Sequence, residues 1–262
     1  MTVVELHRFI IAFILASVRL GAAMAVLPAT SSSMITGFAR RAAVLAFAAL
    51  LVPCVYADWM PPGDAIPWDI VCVVSLKEAV VGMLIGFFAA IPFWIVENVG
   101  NLIDNQRGAT MGEVYSPLSG AQVSTTGIFL TQIASTIFFV GGAFLVFLGA
   151  VYRSYEIVPL FGGWLSFAPD TPVFMLERAD AMIETTFVIA APIVVLMFLA
   201  TVGLGFVNRT APQLNVFFLS MPVKSALGIA MLVVYLQYIL DILMYGDDAG
   251  SPPRTLPEPG FS

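Results

Sequence analysis

Histidine, cysteine and charge are all scarce in this chain, and each scarcity removes a class of function. His7, close to the N-terminus, is the one histidine. A Ser–His or Cys–His dyad therefore cannot form in the apolar body of the chain. The spacings HExxH, GxSxG and GxxxxGK[ST] are missing as well, which removes the usual zinc-peptidase, hydrolase and nucleotide-phosphate readings. No apolar run carries the paired aspartates that an intramembrane aspartyl protease needs. The chain is expected not to be an enzyme and to need no cofactor or metal. Cys54 and Cys72 form no CxxC and no Cys/His cluster, so zinc and redox motifs are excluded. They read as buried free thiols, with a disulfide across a hairpin as the alternative.

Only 11% of the 262 residues are charged, whereas 60% are hydrophobic. A soluble domain carries about 25% charged residues, so most of this chain is expected to lie away from water. The formal net charge of −6 argues against a nucleic-acid partner, which would require a basic face. No polar linker divides the apolar runs, and the body of the chain reads as one unit. Glu5, His7 and Arg8 precede a run that Arg19 interrupts, so the N-terminal segment is not expected to be a cleaved signal peptide.

A membrane-spanning helix needs roughly 20 apolar residues. Six runs approach that length, at about 9–27, 42–57, 70–96, 127–151, 187–207 and 216–240. They are continuous rather than alternating, so helices and not a barrel are predicted. The connections 28–41, with Arg40 and Arg41, and 208–215, with Arg209, are basic. With six spans both fall on one side, which the positive-inside rule makes cytoplasmic. The tail from Gly246, GDDAGSPPRTLPEPGFS, is acidic and rich in Pro and Gly and is expected to be disordered.

Three features stand out against this background. Arg19, Lys77 and Glu78 lie inside apolar runs, where a charge is costly unless it faces protein or a water-filled cavity. Two readings stand for them: internal or intersubunit pairing, and a polar passage. Lys77 and Glu78 are adjacent, so on a helix they project about 100° apart and cannot share one face. Asp241 reads as a residue snorkelling near a span end. Gly82 and Gly86 form GMLIG, a spacing that permits close helix packing, and Gly141, Gly142 and Gly149 cluster in the fourth run.

The second feature is the connection 97–126, ENVGNLIDNQRGATMGEVYSPLSGAQVSTT. Connections beyond about 12–15 residues are usually functional or disordered. Gly100, Gly108, Gly112 and Gly120 permit turns of positive φ, while Met111, Val114, Tyr115 and Leu118 offer apolar contact. From its residues alone it reads equally as a movable plug or lid and as an exposed mobile loop. The third feature is NRTAPQLNVFFLSMPVKS, residues 208–225. Pro212 biases Ala211 away from helix, and Arg209, Gln213 and Asn215 could cap the freed backbone groups. A tight hairpin tip over Asn208–Asn215 is predicted, followed by a helix that Pro222 kinks and that carries Lys224 about two to three turns from the tip, with Ser220 and Ser225 nearby.

These last two stretches resemble the SctT family of type III secretion export apparatus subunits (HrcT-, YscT- and SpaR-like), which are related to flagellar FliR. The matching residues are PQLNVFFLSMP-x-KS within 208–225, and the D-x-QRG pattern at Asp104, Gln106, Arg107 and Gly108 within NLIDNQRGATMGEVYSPLSG. The order of the apolar runs also agrees, so the resemblance covers almost the whole chain except the tail. FFLSMP is similar to the injectisome branch more than to the flagellar one.

The resemblance implies an all-α fold of membrane-type helical hairpins. It implies an SctR-like part over 1–186, an SctS-like hairpin over 187–245 and the tail over 246–262, with helices tilted and kinked in a hetero-oligomeric export gate partly lifted toward the periplasm. It implies partnership with SctR-like and SctS-like subunits, with SctU-like and SctV-like proteins and with unfolded exported proteins, in the bacterial inner membrane. The loop of about 104–126 would plug the lumen, through Asp104, Gln106, Arg107, Gly108, Met111, Gly112, Tyr115, Pro117 and Gly120. The tip and its flank, Asn208, Arg209, Pro212, Gln213, Asn215, Phe217, Phe218, Pro222 and Lys224, would meet partners. A small secondary transporter using Arg19, Lys77 and Glu78 is the alternative, though no internal symmetry of the kind common in such carriers is visible.

Overall fold

In a computed structural model the described residues are 3–31, 34–54, 67–108, 124–161, 169–211, 213 and 216–245. Among them every regular element is helical: α1 (Val3–Val26), a 3-10 turn (Pro28–Thr30), α2 (Gly37–Cys54), α3 (Trp68–Arg107), α4 (Thr125–Val140), α5 (Ala143–Ile157), α6 (Thr171–Thr210) and α7 (Val216–Tyr245). The all-α membrane-type class is therefore observed. The side chains of Val3, Val4, Cys54, Phe217 and 241–245, and the whole tail from 246, lie outside the described residues.

The chain divides into two compact units rather than one. The first comprises 1–97 with 129–184, and the second 98–128 with 185–262. Hydropathy could not show this, because the division falls inside α3, α4 and α6, each of which is one continuous helix.

In the first unit, α1 buries Ile11, Ala12, Leu15, Ala16, Leu20, Ala23 and Met24. This is the stripe that a helix repeat of about 3.6 residues gives, and Arg19 sits within it at 0% exposure. The Thr30 hydroxyl donates to the Met24 and Leu27 carbonyls beyond the helix end, satisfying acceptors that a helix C-terminus leaves open. Helix α3 crosses close to α1. A Cβ added at Gly82 would strike the Arg19 carbonyl, and one at Gly86 the Ala23 carbonyl. Glu78, Gly82 and Gly86 follow one another at i, i+4 and i+8, so the row that removes side chains from the crossing also delivers Glu78 to α1. Gly149, by contrast, has nothing within 4 Å of its added Cβ. Gly82→Ala should destabilise the detergent-solubilised chain by about 1–3 kcal/mol, because the obstacle is backbone. Gly149→Ala should stabilise it by up to ~1 kcal/mol through helix propensity. Equal effects of the two in an unfolding titration would refute the close crossing.

Hydropathy misplaced several boundaries. The expected connection from 97 begins as helix: α3 runs on to Arg107, burying Val96, Val99 and Ile103. That spacing continues the helical period through a polar composition. The fourth apolar run is two helices, α4 and α5, bent by 70° at Gly141–Gly142, where Gly142 has φ 82°. The connection expected over 152–186 contains the first turns of α6, whose ERADAMIE stretch is made largely of good helix formers. Cys72, expected buried, is an exposed free thiol.

Four described helices are long and apolar enough to cross a membrane, α1, α3, α6 and α7, and a fifth span arises if the bent α4–α5 pair counts as one. The expected count was six. Without it, the sidedness drawn from the two basic connections loses its basis. Helices α3 and α6 each have 40 residues, hence about 60 Å of rise, twice the ~30 Å hydrocarbon thickness.

In the second unit, Ile189, Ala190, Ile193 and Met197 of α6 are buried, as are Leu232 and Ile239 of α7. Gly228 of α7 faces the Met197 sulfur, 3.2 Å from an added Cβ. The remaining faces of both helices are apolar and open: Phe187, Phe198, Leu199 and Phe206 on α6 are exposed, as are Phe218, Val233 and Val234 on α7.

Candidate functional site

The D-x-QRG residues tie the end of α3 to the start of α4. Asp104 sits on the last turn of α3 at 2% exposure. Its Oδ2 accepts the Ser124 hydroxyl at 2.7 Å and the Thr126 backbone N–H at 3.0 Å, and its Oδ1 accepts the Thr126 hydroxyl at 2.6 Å. Arg107 pairs with Oδ1 at 2.7 Å and donates to the Thr126 hydroxyl at 3.1 Å. Ser124 caps α4 by accepting the Gly127 N–H at 2.8 Å. Gly100 lies against the Gly127 backbone, with no room for a Cβ. Gly108 ends α3 with φ 77° and faces Met221 of α7 at 3.9 Å from an added Cβ, a left-handed conformation suited to glycine.

The chain thus leaves at Gly108 and returns at Ser124, with its two feet held by one buried carboxylate. Gln106 is exposed. Met111, Gly112, Tyr115, Pro117 and Gly120 lie outside the described residues, as do Val114 and Leu118. Ser124 and Thr126 were not singled out from the sequence. The signal was there, a Ser-Thr-Thr run immediately before an apolar helix.

The hairpin tip is shorter than expected. Asn208, Arg209 and Thr210 continue α6, all of them exposed, and α7 begins at Val216. Among the described residues neither Arg209 nor Gln213 caps the helix. Instead the Ala211 N–H bonds the Val207 carbonyl at 2.8 Å, and the Thr210 hydroxyl donates to the same carbonyl at 3.0 Å. Pro212 and Asn215 lie outside the described residues. Helix α7 passes through Pro222 without interruption. Phe218 is 68% exposed, and Lys224, half-buried, has no ion pair among the described residues.

Arg19, Lys77 and Glu78 converge near the end of α5 in the first unit. Arg19 makes a two-pronged pair with Glu78, Nε–Oε2 at 2.6 Å and Nη2–Oε1 at 2.8 Å. It also donates to the Ser154 hydroxyl and the Val158 carbonyl, each at 2.8 Å, and its guanidinium lies 3.8 Å from the Tyr155 ring centre. Lys77 turns elsewhere, as the helical angle requires, and donates to the Pro159 and Leu160 carbonyls at 2.7 Å each. It stands 4.0 Å from Glu78. Each charge is spent on an internal partner, an arrangement that ties α1, α3 and the end of α5 together.

The family described as "Bacterial export proteins, family 1" matches residues 10–246. Yop proteins translocation protein T of Yersinia pestis is 36% identical over 235 residues, covering 90% of this chain and 89% of that protein. Secretion system apparatus protein SsaT of Salmonella typhimurium is 31% identical over 239 residues, 90% of this chain and 91% of its own length. Flagellar biosynthetic protein FliR of Bacillus subtilis is 30% identical over 171 residues, 65% of this chain and 66% of that protein. With a match spanning nearly all of its helices, this all-α membrane-type chain belongs to family 1 of the bacterial export proteins, the SctT/FliR family.

Proposed function

We propose that the chain is a non-enzymatic subunit of a type III protein secretion export gate in the bacterial inner membrane. The observation that carries the reading is its alignment along 90% of its length with Yop proteins translocation protein T. In this reading SctR-like and SctS-like subunits cover the exposed apolar faces of α6 and α7, and SctU-like and SctV-like proteins stand beyond them. Residues 1–186 form the SctR-like part and 187–245 the SctS-like hairpin. Helices of about 60 Å exceed what a bilayer core of ~30 Å demands, which supports a gate partly lifted toward the periplasm.

The segment of about 104–126 acts as the plug, and the Asp104 clasp supports this reading: a segment whose ends are fixed can fill a lumen and be displaced without the helices separating. An unfolded substrate needs no chemistry to pass, only displacement of the loop. The internal pairing of Arg19, Lys77 and Glu78 disfavours a carrier, since it leaves those charges no vacancy for a substrate.

Co-expression with the neighbouring SctR- and SctS-like chains, followed by native mass spectrometry, tests the assignment. A defined hetero-oligomer containing one copy of this chain is expected. A monodisperse homo-oligomer that ignores both partners would overturn it.

A further inference from the structure

Arg40 and Arg41 take no part in the sites described above, and they are the one pair of adjacent arginines in a chain of net charge −6. Arg41 is exposed and Arg40 half-buried. Arg40 reaches only the Thr30 carbonyl, at 3.5 Å, and neither has an ion pair among the described residues. Both open into a groove of about 350 Å³ between α1 and α2, floored by Ser17, Gly21 and Ala25 and walled by Val44 and Leu45. That size is within the ~300–1,000 Å³ usual for ligand sites.

A second groove of about 540 Å³ is lined by Phe9, Phe13, Ala49, Val52 and Pro53, all apolar. The two follow the same rows of the helices. On α1 the residues 9, 13, 17, 21 and 25, and on α2 the residues 41, 45, 49 and 53, each recur at i+4, the spacing of a continuous surface ridge. The second groove takes up where the first ends. From Arg41 to Pro53 the rise is about 18 Å, close to the ~15 Å of one leaflet of a ~30 Å hydrocarbon core.

We infer that this seam is a binding site for an anionic phospholipid. The phosphate of its headgroup meets Arg40 and Arg41, and one acyl chain lies along the trench toward Phe9 and Val52. Charge and shape each select this occupant. A zwitterionic lipid offers the arginines no net charge, and a soluble phosphate offers the apolar trench nothing. Basic pockets between membrane helices recognise acidic headgroups in the same way.

The test is native mass spectrometry of the full-length chain, with its co-purified subunits, in delipidated detergent titrated with phosphatidylglycerol or phosphatidylcholine. The chain should retain phosphatidylglycerol selectively. Arg40→Gln with Arg41→Gln should lower that retention about thirtyfold, and the double Lys variant should recover most of it. Ala49→Phe, which fills the trench and leaves both arginines, should also lower it. Glycerol 1-phosphate should not compete. Unchanged retention in the Gln variant would overturn the site, as would displacement of the lipid by glycerol 1-phosphate, which would make it a free-anion site. Loss of a co-purified subunit with lipid retention intact would instead assign the arginines to a protein contact.

Discussion

Glu78→Ala should prevent the chain from accumulating as a folded protein. The substitution leaves Arg19, at 0% exposure, and Lys77, at 7%, without the carboxylate that pairs with both among the described residues. The Arg19 guanidinium keeps the Ser154 hydroxyl and the Val158 carbonyl but loses both prongs of its pair. Removing one partner of a buried pair costs about 3–5 kcal/mol, because the other charge remains buried without compensation. A domain stable by ~5–15 kcal/mol loses much of its margin.

Arg19→Met with Glu78→Met should recover most of the loss. The buried guanidinium then goes with its partner, and Lys77 keeps its two carbonyls. Steady-state level and unfolding of the detergent-solubilised chain measure both effects. A Glu78→Ala chain as stable as the parent, or a double variant worse than the single, would show that the pair does not hold α1 to α3.

Asp104→Ala should unfasten the end of α3 from the start of α4 while leaving the helices in place. It removes the acceptor of the Ser124 hydroxyl, the Thr126 hydroxyl and the Thr126 N–H, and the counter-charge of Arg107. Hydrogen bonds to a charged group are worth about 1.5–3 kcal/mol each and do not add fully. A local loss of about 3 kcal/mol is therefore expected, which at equilibrium is more than a hundredfold in opening. Hydrogen exchange at Thr126 should accelerate by that order, and the assembled gate should leak ions at rest. The two readouts separate the clasp from the plug. Faster exchange without leakage would keep the clasp and reject the plug reading. Unchanged exchange would reject the clasp itself.

Some of this was legible residue by residue. The repeat at Ile11, Leu15, Arg19 and Ala23 already puts Arg19 on the buried stripe of α1, and the 100° between Lys77 and Glu78 already sends them to different partners. The continuation of α3 through Val99 and Ile103 was also readable as period, and was missed because an average of hydropathy falls as soon as Glu97, Asn98 and Asn101 enter the window. The break between α4 and α5 had its mark in Gly141–Gly142, but paired glycines occur as well in helices that stay straight.

The sequence by itself determined that the chain is helical and apolar enough for a membrane. It also determined that catalytic dyads are missing, and that two motifs and the order of its runs belong to one export family. These follow from composition, period and short strings, which need no knowledge of neighbours. Only the tertiary structure decided that Glu78 answers Arg19 across 59 positions, and that Lys77 ends on the carbonyls after α5. Only it decided that Asp104 binds Ser124 and Thr126 at the start of α4, and that Arg40 and Arg41 open onto a trench with no acid paired to them among the described residues. The physical reason is the same in each case. A charge in an apolar run declares that it needs a partner, but which partner it finds depends on helix crossings set by the packing of side chains far apart in the chain.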